Sequence, residues 1–241
     1  MNTDYGQFYF DLHTHTIASG HGTFDTAEEL FKSAAKKSLL SLGISDHAPA
    51  YPGSCRESYF RNLPLAPSVR FGINAYYGVE LNILNKEGDI DLSPEILNKL
   101  DYAIISLHTR VTAPMSCSDN TAAYINAMRH PKVMILGHPD DDTYPVDYES
   151  LLHAAKEKSV FPEINNSSLR QDSGRVNSHR NIKTILNISK KLDLPVLLSS
   201  DSHGRKHIGD FSGIIPLLKE TDFPRELILN TRKSLYLIRH E

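Results

Sequence analysis

Phe8-Tyr9-Phe10-Asp11-Leu12-His13-Thr14-His15 is the stretch that decides how this chain is read. An aromatic and apolar run of strand character ends in a His-x-His pair. Side chains alternate along a strand with period two, so both imidazoles leave it on the same side. Such a pair can hold one metal ion from two directions. An open doubly wound sheet usually carries a Gly-rich phosphate loop at this point, and none is present.

Working outward, six further apolar or β-branched runs predict strands at 41–45, 75–81, 102–107, 133–137, 160–165 and 196–200, with the opening run covering 8–12. Segments of helical period at 26–37, 120–128, 148–158, 178–192, 213–220 and 224–231 predict helices between and after them. Strand–helix alternation implies parallel strands with crossover helices. Seven such units predict an α/β chain folded as a closed or nearly closed β/α barrel, one strand short of the usual eight, with an open doubly wound sheet as the alternative.

The strand ends carry the chemistry. His47 ends the second strand and Glu80 the third. His108 ends the fourth and His138 the fifth, while Asp201 and His203 follow the seventh. The sixth ends in Glu163-Ile-Asn-Asn166, polar but without histidine, and His21 lies in the loop after the first strand. The carboxyl ends of barrel strands share one face, so residues spread over the whole chain should converge there. Imidazole and carboxylate together suit Zn, Mn and Fe. Nine candidate ligands, His13, His15, His21, His47, Glu80, His108, His138, Asp201 and His203, are too many for one ion. His130, His153, His179, His207 and His240 fall outside the pattern and read as surface residues, although His207 lies near Asp201 and His203.

Composition narrows the class. The 241 residues, read as one domain over 1–241, are 40% hydrophobic and 23% charged, with twelve histidines, no tryptophan and a formal charge of -3. That balance argues against a nucleic-acid binder, which needs clustered Lys and Arg. Cys55 and Cys117 stand in no ligand-like spacing and make no disulfide framework. With no signal-like start and no membrane-length apolar run, a cytoplasmic protein is expected.

Asp11-Leu-His-Thr-His15, Ser45-Asp-His47, the strand-end Glu80, Gly137-His-Pro139 and Asp201-Ser-His203 resemble the motifs of the PHP (polymerase and histidinol phosphatase) superfamily. The stretches from Gly20 to Asp25, His47 to Ser54 and Glu163 to Ser168 resemble its YcdX-type phosphatase branch. The resemblance implies a distorted seven-stranded (β/α)7 TIM-like barrel and a trinuclear site, commonly zinc or manganese. It implies one ion on His13, His15, Glu80 and Asp201, a second sharing Glu80 with His108 and His138, and a third on His21, His47 and His203. A homotrimer is also implied.

The chemistry that follows is hydrolysis of a small phosphoric monoester by a metal-bound hydroxide. Asp201 or His203 would pass a proton to the leaving alkoxide. Arg110, Arg205 and Lys206 follow ligands at the mouth, where Arg110 and Arg205 are candidates to grip the phosphate. Asp11 and Asp46 either orient imidazoles or are simply structural. The rivals are a phosphodiesterase or exonuclease, which wants a basic groove, and an amidohydrolase, which typically bridges its metals with a modified Lys. A non-catalytic metal-bound scaffold is the third.

Overall fold

A computed structural model describes residues 5–130 and 132–235. The strands are β1 (Phe10–Asp11), β2 (Thr14–His15), β3 (Ser41–Ile44), β4 (Val69–Arg70), β5 (Ile73–Tyr77), β6 (Val79–Asn82), β7 (Ala103–Ser106), β8 (Val133–Leu136), β9 (Phe161–Asn165), β10 (Leu197–Ser199) and β11 (Ser202–His203). The helices are α1 (Ala27–Lys36), α2 (Glu57–Asn62), α3 (Pro94–Leu97), α4 (Cys117–Ala127), α5 (Tyr148–Glu157), α6 (Ser178–Lys191) and α7 (Ile214–Glu220). Every strand pair is parallel except β4 on β5.

The strands do not form one closed ladder. Three sheets are hydrogen-bonded among the described residues, in the orders β1-β3-β5-β4, β10-β9-β8-β7-β6 and β11-β2. The reason lies in three of the seven expected strands, which change partner partway. The run expected at 75–81 breaks at Gly78, so that β5 pairs with β3 and β6 pairs with β7. The opening run breaks after Asp11, so that β1 pairs with β3 and β2 with β11. The last run continues beyond a break at Ser200 and Asp201 into β11. Each sheet thus hands over to the next through a continuous length of chain. The seam between the first and last strands is stitched lower down by the buried Asn230. Its amide donates to Phe10 O and Leu198 O, each at 2.9 Å, and accepts from Leu198 N at 2.7 Å.

β3, β6 and β7 are buried along their whole length, as expected of parallel strands covered on both faces. Their side chains sort into two layers. A small cluster takes Phe10, Tyr76, Tyr102, Ile104, Ile135 and Leu197, inside the strands. The larger one takes the alternate residues, such as Leu42, Ile44 and Ile105, against the helices. Tyr102 crosses the inner cluster and donates to Leu12 O. Its ring needs Gly43 and Gly78, since a Cβ there would lie 2.1 Å and 2.6 Å from Tyr102 atoms. Glycine at 78, where the run breaks, is therefore a packing necessity.

The helices follow their sequence signals. In α1, Glu29 accepts from Thr26 N at 2.8 Å, and Leu30, Phe31 and Ala34 are buried. In α5, Asp147 caps the free N–H of Glu149 at 3.2 Å. The expected helix at 224–231 is instead two 3-10 turns, Arg225–Leu227 and Leu229–Thr231. There the backbone is diverted to pair Val196 with Ile228 beside β10, which an uninterrupted helix could not do.

Candidate metal centre

All nine expected ligands meet at the carboxyl ends of the strands, around Glu80. Glu80 Oε2 lies 3.4 Å from His13 Nε2, 3.5 Å from His15 Nε2 and 2.7 Å from His47 Nδ1. Glu80 Oε1 lies 3.2 Å from His108 Nε2 and 2.9 Å from His138 Nε2. Asp201 Oδ1 faces His15 Nε2 at 3.3 Å and His13 Nε2 at 3.6 Å. His21 Nε2 and His203 Nε2 are 3.0 Å apart. His203 pairs across the β11–β2 ladder with His15, and their rings stack at 4.3 Å. His47 stands in a separate position: its ring stacks 5.0 Å from His21, but its Nδ1 turns to Glu80. Three overlapping groups have donor atoms close enough for one ion each: His13 with His15 and Glu80; His47 with Glu80 and His108; and His15 with His47 and His203.

The donor set fits divalent metal. His13 Nε2, His15 Nε2, His47 Nδ1 and Glu80 Oε2 are buried and have no hydrogen-bond partner. The short His47–Glu80 approach is not in hydrogen-bonding geometry. Buried polar atoms are rarely left unpaired. Here several of them point at common volumes, at separations that ligands about 2.0–2.2 Å from one ion would have.

A second layer orients the imidazoles. His13 Nδ1 bonds Glu163 Oε1 at 2.6 Å, His15 Nδ1 bonds Ser19 Oγ at 2.9 Å and His108 Nδ1 bonds Asn82 Oδ1 at 2.8 Å. Such partners fix the ring and its tautomer. Asp46 acts one step back, accepting from Ser19 Oγ at 2.7 Å and from Tyr59 and Thr16. Asp11 takes the structural alternative, accepting from Gly209 N at 2.8 Å and from Ser200. His138 and Asp201 hold positive φ values of 26° and 47°, the kind of backbone strain that clusters at functional sites.

Charge in the cluster is unevenly spread. Burial works against a charged His13, but Glu163, Asp201 and Glu80 outweigh it and hold the ring well above its ordinary range. Burial, aided by His203 and His47, drives His15 well below it, and burial pushes His47 down to about 4. Burial alone would raise Glu80, yet His47, His108 and His13 keep it well below the usual carboxylate range.

A cavity of about 250 Å³ opens on this cluster, bounded also by Tyr51, Ser167, Ser173 and Arg175. Arg175 escapes a reading of the sequence. Its guanidinium donates to Asp201 Oδ2 at 3.0 Å and to Ser168 Oγ. It sits in a Ser- and Gly-containing turn that signals only a loop. Glu163 was visible as a strand-end carboxylate, and its spacing two residues before Asn165 marks the same face. Arg205 does not border the cavity and pairs with Glu29 on α1 at 2.7 Å. Arg110 is exposed at the rim. Lys206 and His207 line an adjoining cleft that also borders Asp201 and His203. His130, His153 and His179 stand away from the cluster, and His240 lies outside the described residues.

Fold and site define the class: an α/β enzyme of the metal-dependent phosphatase type. The chain belongs to the PHP domain family, whose model matches residues 11–167. It is 41% identical over 225 residues to a probable phosphatase of Clostridium acetobutylicum, covering 93% of this chain and 91% of that one. A probable phosphatase of Caldanaerobacter subterraneus is 43% identical over 222 residues, 92% of this chain and 86% of that one. The fold is similar to the crystal structure of histidinol phosphate phosphatase from Lactococcus lactis, solved with zinc, L-histidinol and phosphate. The TM-score is 0.63 at 19% identity, over 90% of this chain and 94% of that one. No described helix is long and apolar enough to cross a membrane.

Proposed function

We propose that residues 1–241 form one phosphatase unit that hydrolyses phosphoric monoesters of small metabolites, with its three sheets working together as a distorted seven-stave barrel. In this reading three divalent ions, zinc foremost, are held as follows. His13, His15, Glu80 and Asp201 take the first, Glu80 with His108 and His138 the second, and His21, His47 and His203 the third. The observation that carries the reading is the set of buried, unpartnered donor atoms around Glu80 beneath a small polar cavity. Bound there, the ions supply Lewis acidity toward phosphoryl oxygens and water.

The chain's own residues do the rest. Arg175 lines the cavity with two donors engaged, and its remaining N–H groups are available to a phosphoryl oxygen. Ser167 adds a hydroxyl donor at the same wall, while the hydroxyl of Ser173 donates to Ser168 O at 3.2 Å and holds the turn. Asp201, or the part-exposed His203 where it is not committed to the third ion, would pass the proton to the departing alkoxide; Asp201 Oδ1 lies 3.7 Å from His203 Nδ1. Arg110 at the rim steers an anion inward.

Elemental analysis of protein grown with ample metal is expected to give more than one ion per chain. With the same metal, p-nitrophenyl phosphate should be cleaved faster than bis-p-nitrophenyl phosphate, because a monoester offers a third non-bridging oxygen. Faster diester cleavage, or ready degradation of single-stranded DNA, would replace this reading with the nuclease one.

A further inference from the structure

Tyr51 stands in the turn after β3, four residues past His47. Its ring lies face to face with His47, centroids 4.1 Å apart and planes 6° apart, and with His21 at 4.8 Å and 20°. It meets His108 edge-on at 5.4 Å and 90°. Three imidazoles from three parts of the chain therefore share one phenol as a wall. The turn that carries it is closed by Tyr51 N donating to Ala48 O at 3.1 Å and Ser54 N donating to Tyr51 O at 3.0 Å. It also docks on the loop that carries His21, through Cys55 N to Ala18 O at 3.1 Å. Gly20 and Gly53 touch at this joint, where a Cβ on Gly20 would lie 1.9 Å from Gly53 O. The placement of the ring is therefore built rather than incidental.

The hydroxyl is the second observation. Tyr51 is 9% exposed, and among the described residues nothing hydrogen-bonds to its hydroxyl. The hydroxyl is left open to the cavity that Tyr51 lines, where a bound oxygen can partner it. Tyr51 borders that cavity together with Glu80, Arg175 and Asp201.

We propose that Tyr51 has two roles, its ring holding His21 and His47 as one ligand face and its hydroxyl donating to an oxygen of the bound phosphoric monoester. The hydroxyl role rests on the phosphomonoesterase reading. The ring role concerns metal alone and stands without any turnover.

Two variants separate the roles. Tyr51→Phe keeps the stack, so it should bind as many zinc ions as the parent with unchanged chelator competition, while kcat/KM on p-nitrophenyl phosphate falls about tenfold or more. Tyr51→Leu removes the stack, so it should lose one ion per chain, or release its weakest ion at about tenfold lower chelator concentration, with the remaining ions unchanged. If Tyr51→Leu does not fold by circular dichroism, Tyr51→Met, also unable to stack, takes its place. Unchanged kcat/KM in Tyr51→Phe overturns the hydroxyl role. Parent-like zinc content and competition in the non-aromatic variant overturn the ring role. Absence of turnover in the parent sinks the phosphomonoesterase reading and with it the hydroxyl role, but leaves the zinc comparison decisive for the ring.

Discussion

Replacing Arg175 by Met removes a charge held between carboxylates, and the structure fixes both the size and the pH signature of the loss. The guanidinium is 17% exposed and ion-paired at 3.0 Å to Asp201, itself 6% exposed. Asp140 is fully buried beside it, and neither of its carboxylate oxygens has a hydrogen-bond partner. The nearby hydroxyls of Ser178 and Ser168 favour its charged form, though neither closes a hydrogen bond to it. Removing one partner of a buried ion pair strands the other and typically costs about 3–5 kcal/mol. For a chain of this length that corresponds to roughly 2–4 °C in melting temperature per kcal/mol.

The pH dependence follows from Asp140. Burial raises its pKa, and Arg175 is the strongest influence opposing that rise. A carboxyl raised in the folded state binds its proton more tightly folded than unfolded. Its ionisation therefore weakens the fold as pH climbs from the unfolded value, about 3.9, through the folded one. Without Arg175 the folded value rises further, so the penalty at neutral pH grows and acidification relieves it. The assay is urea unfolding of EDTA-stripped parent and Arg175→Met at pH 8 and pH 5.5. The stability gap should be largest at pH 8 and narrower at pH 5.5. A gap below about 1 kcal/mol at pH 8, or one that does not narrow on acidification, refutes the argument that Arg175 compensates Asp140.

Glu80→Gln should lose metal and turnover together, because the carboxylate faces five imidazoles. An opposing unit charge at 4 Å is worth roughly 4 kcal/mol at an effective dielectric of 20, or about three powers of ten in affinity. His153→Ala, away from the cluster, should change neither metal content nor kcat. His13 must shed a proton to ligate, and Glu163, Asp201 and Glu80 hold its pKa well above the ordinary imidazole range. Metal affinity should therefore fall as pH drops through that raised value, while His15 and His47, already neutral at pH 7, add no such cost. Calorimetry of zinc binding at pH 7 in buffers of different ionisation heat should show about one proton released for the ion His13 holds, and no release would contradict the assignment.

The candidate cluster was legible because its signal is local. Each of His13, His47, Glu80, His108 and His138 closes a short apolar run, and parallel packing brings such ends together. What escaped depends on partners far away in sequence. Nothing in the run 75–81 announces that β5 and β6 belong to different sheets. The switch lies in the backbone pairing, to β3 before Gly78 and to β7 after it. Arg175 binds Asp201 across 26 residues from a turn with no pattern of its own. Arg205 looked available because it follows His203 closely, yet Glu29 on α1 claims it. The segment 224–231 reads as helical, whereas the backbone there serves β10.

The short ladder between β2 and β11 joins the first strand of the fold to the last. His13 and His15 stand on one side of that seam, Asp201 and His203 on the other, with nearly the whole described chain in the loop between them. An ion gripped from both sides would act as a removable cross-link, comparable to a disulfide closing a very long loop. Chelation would then unbutton the ring at one place, and the metal content of the medium would set how tightly the protein is fastened shut.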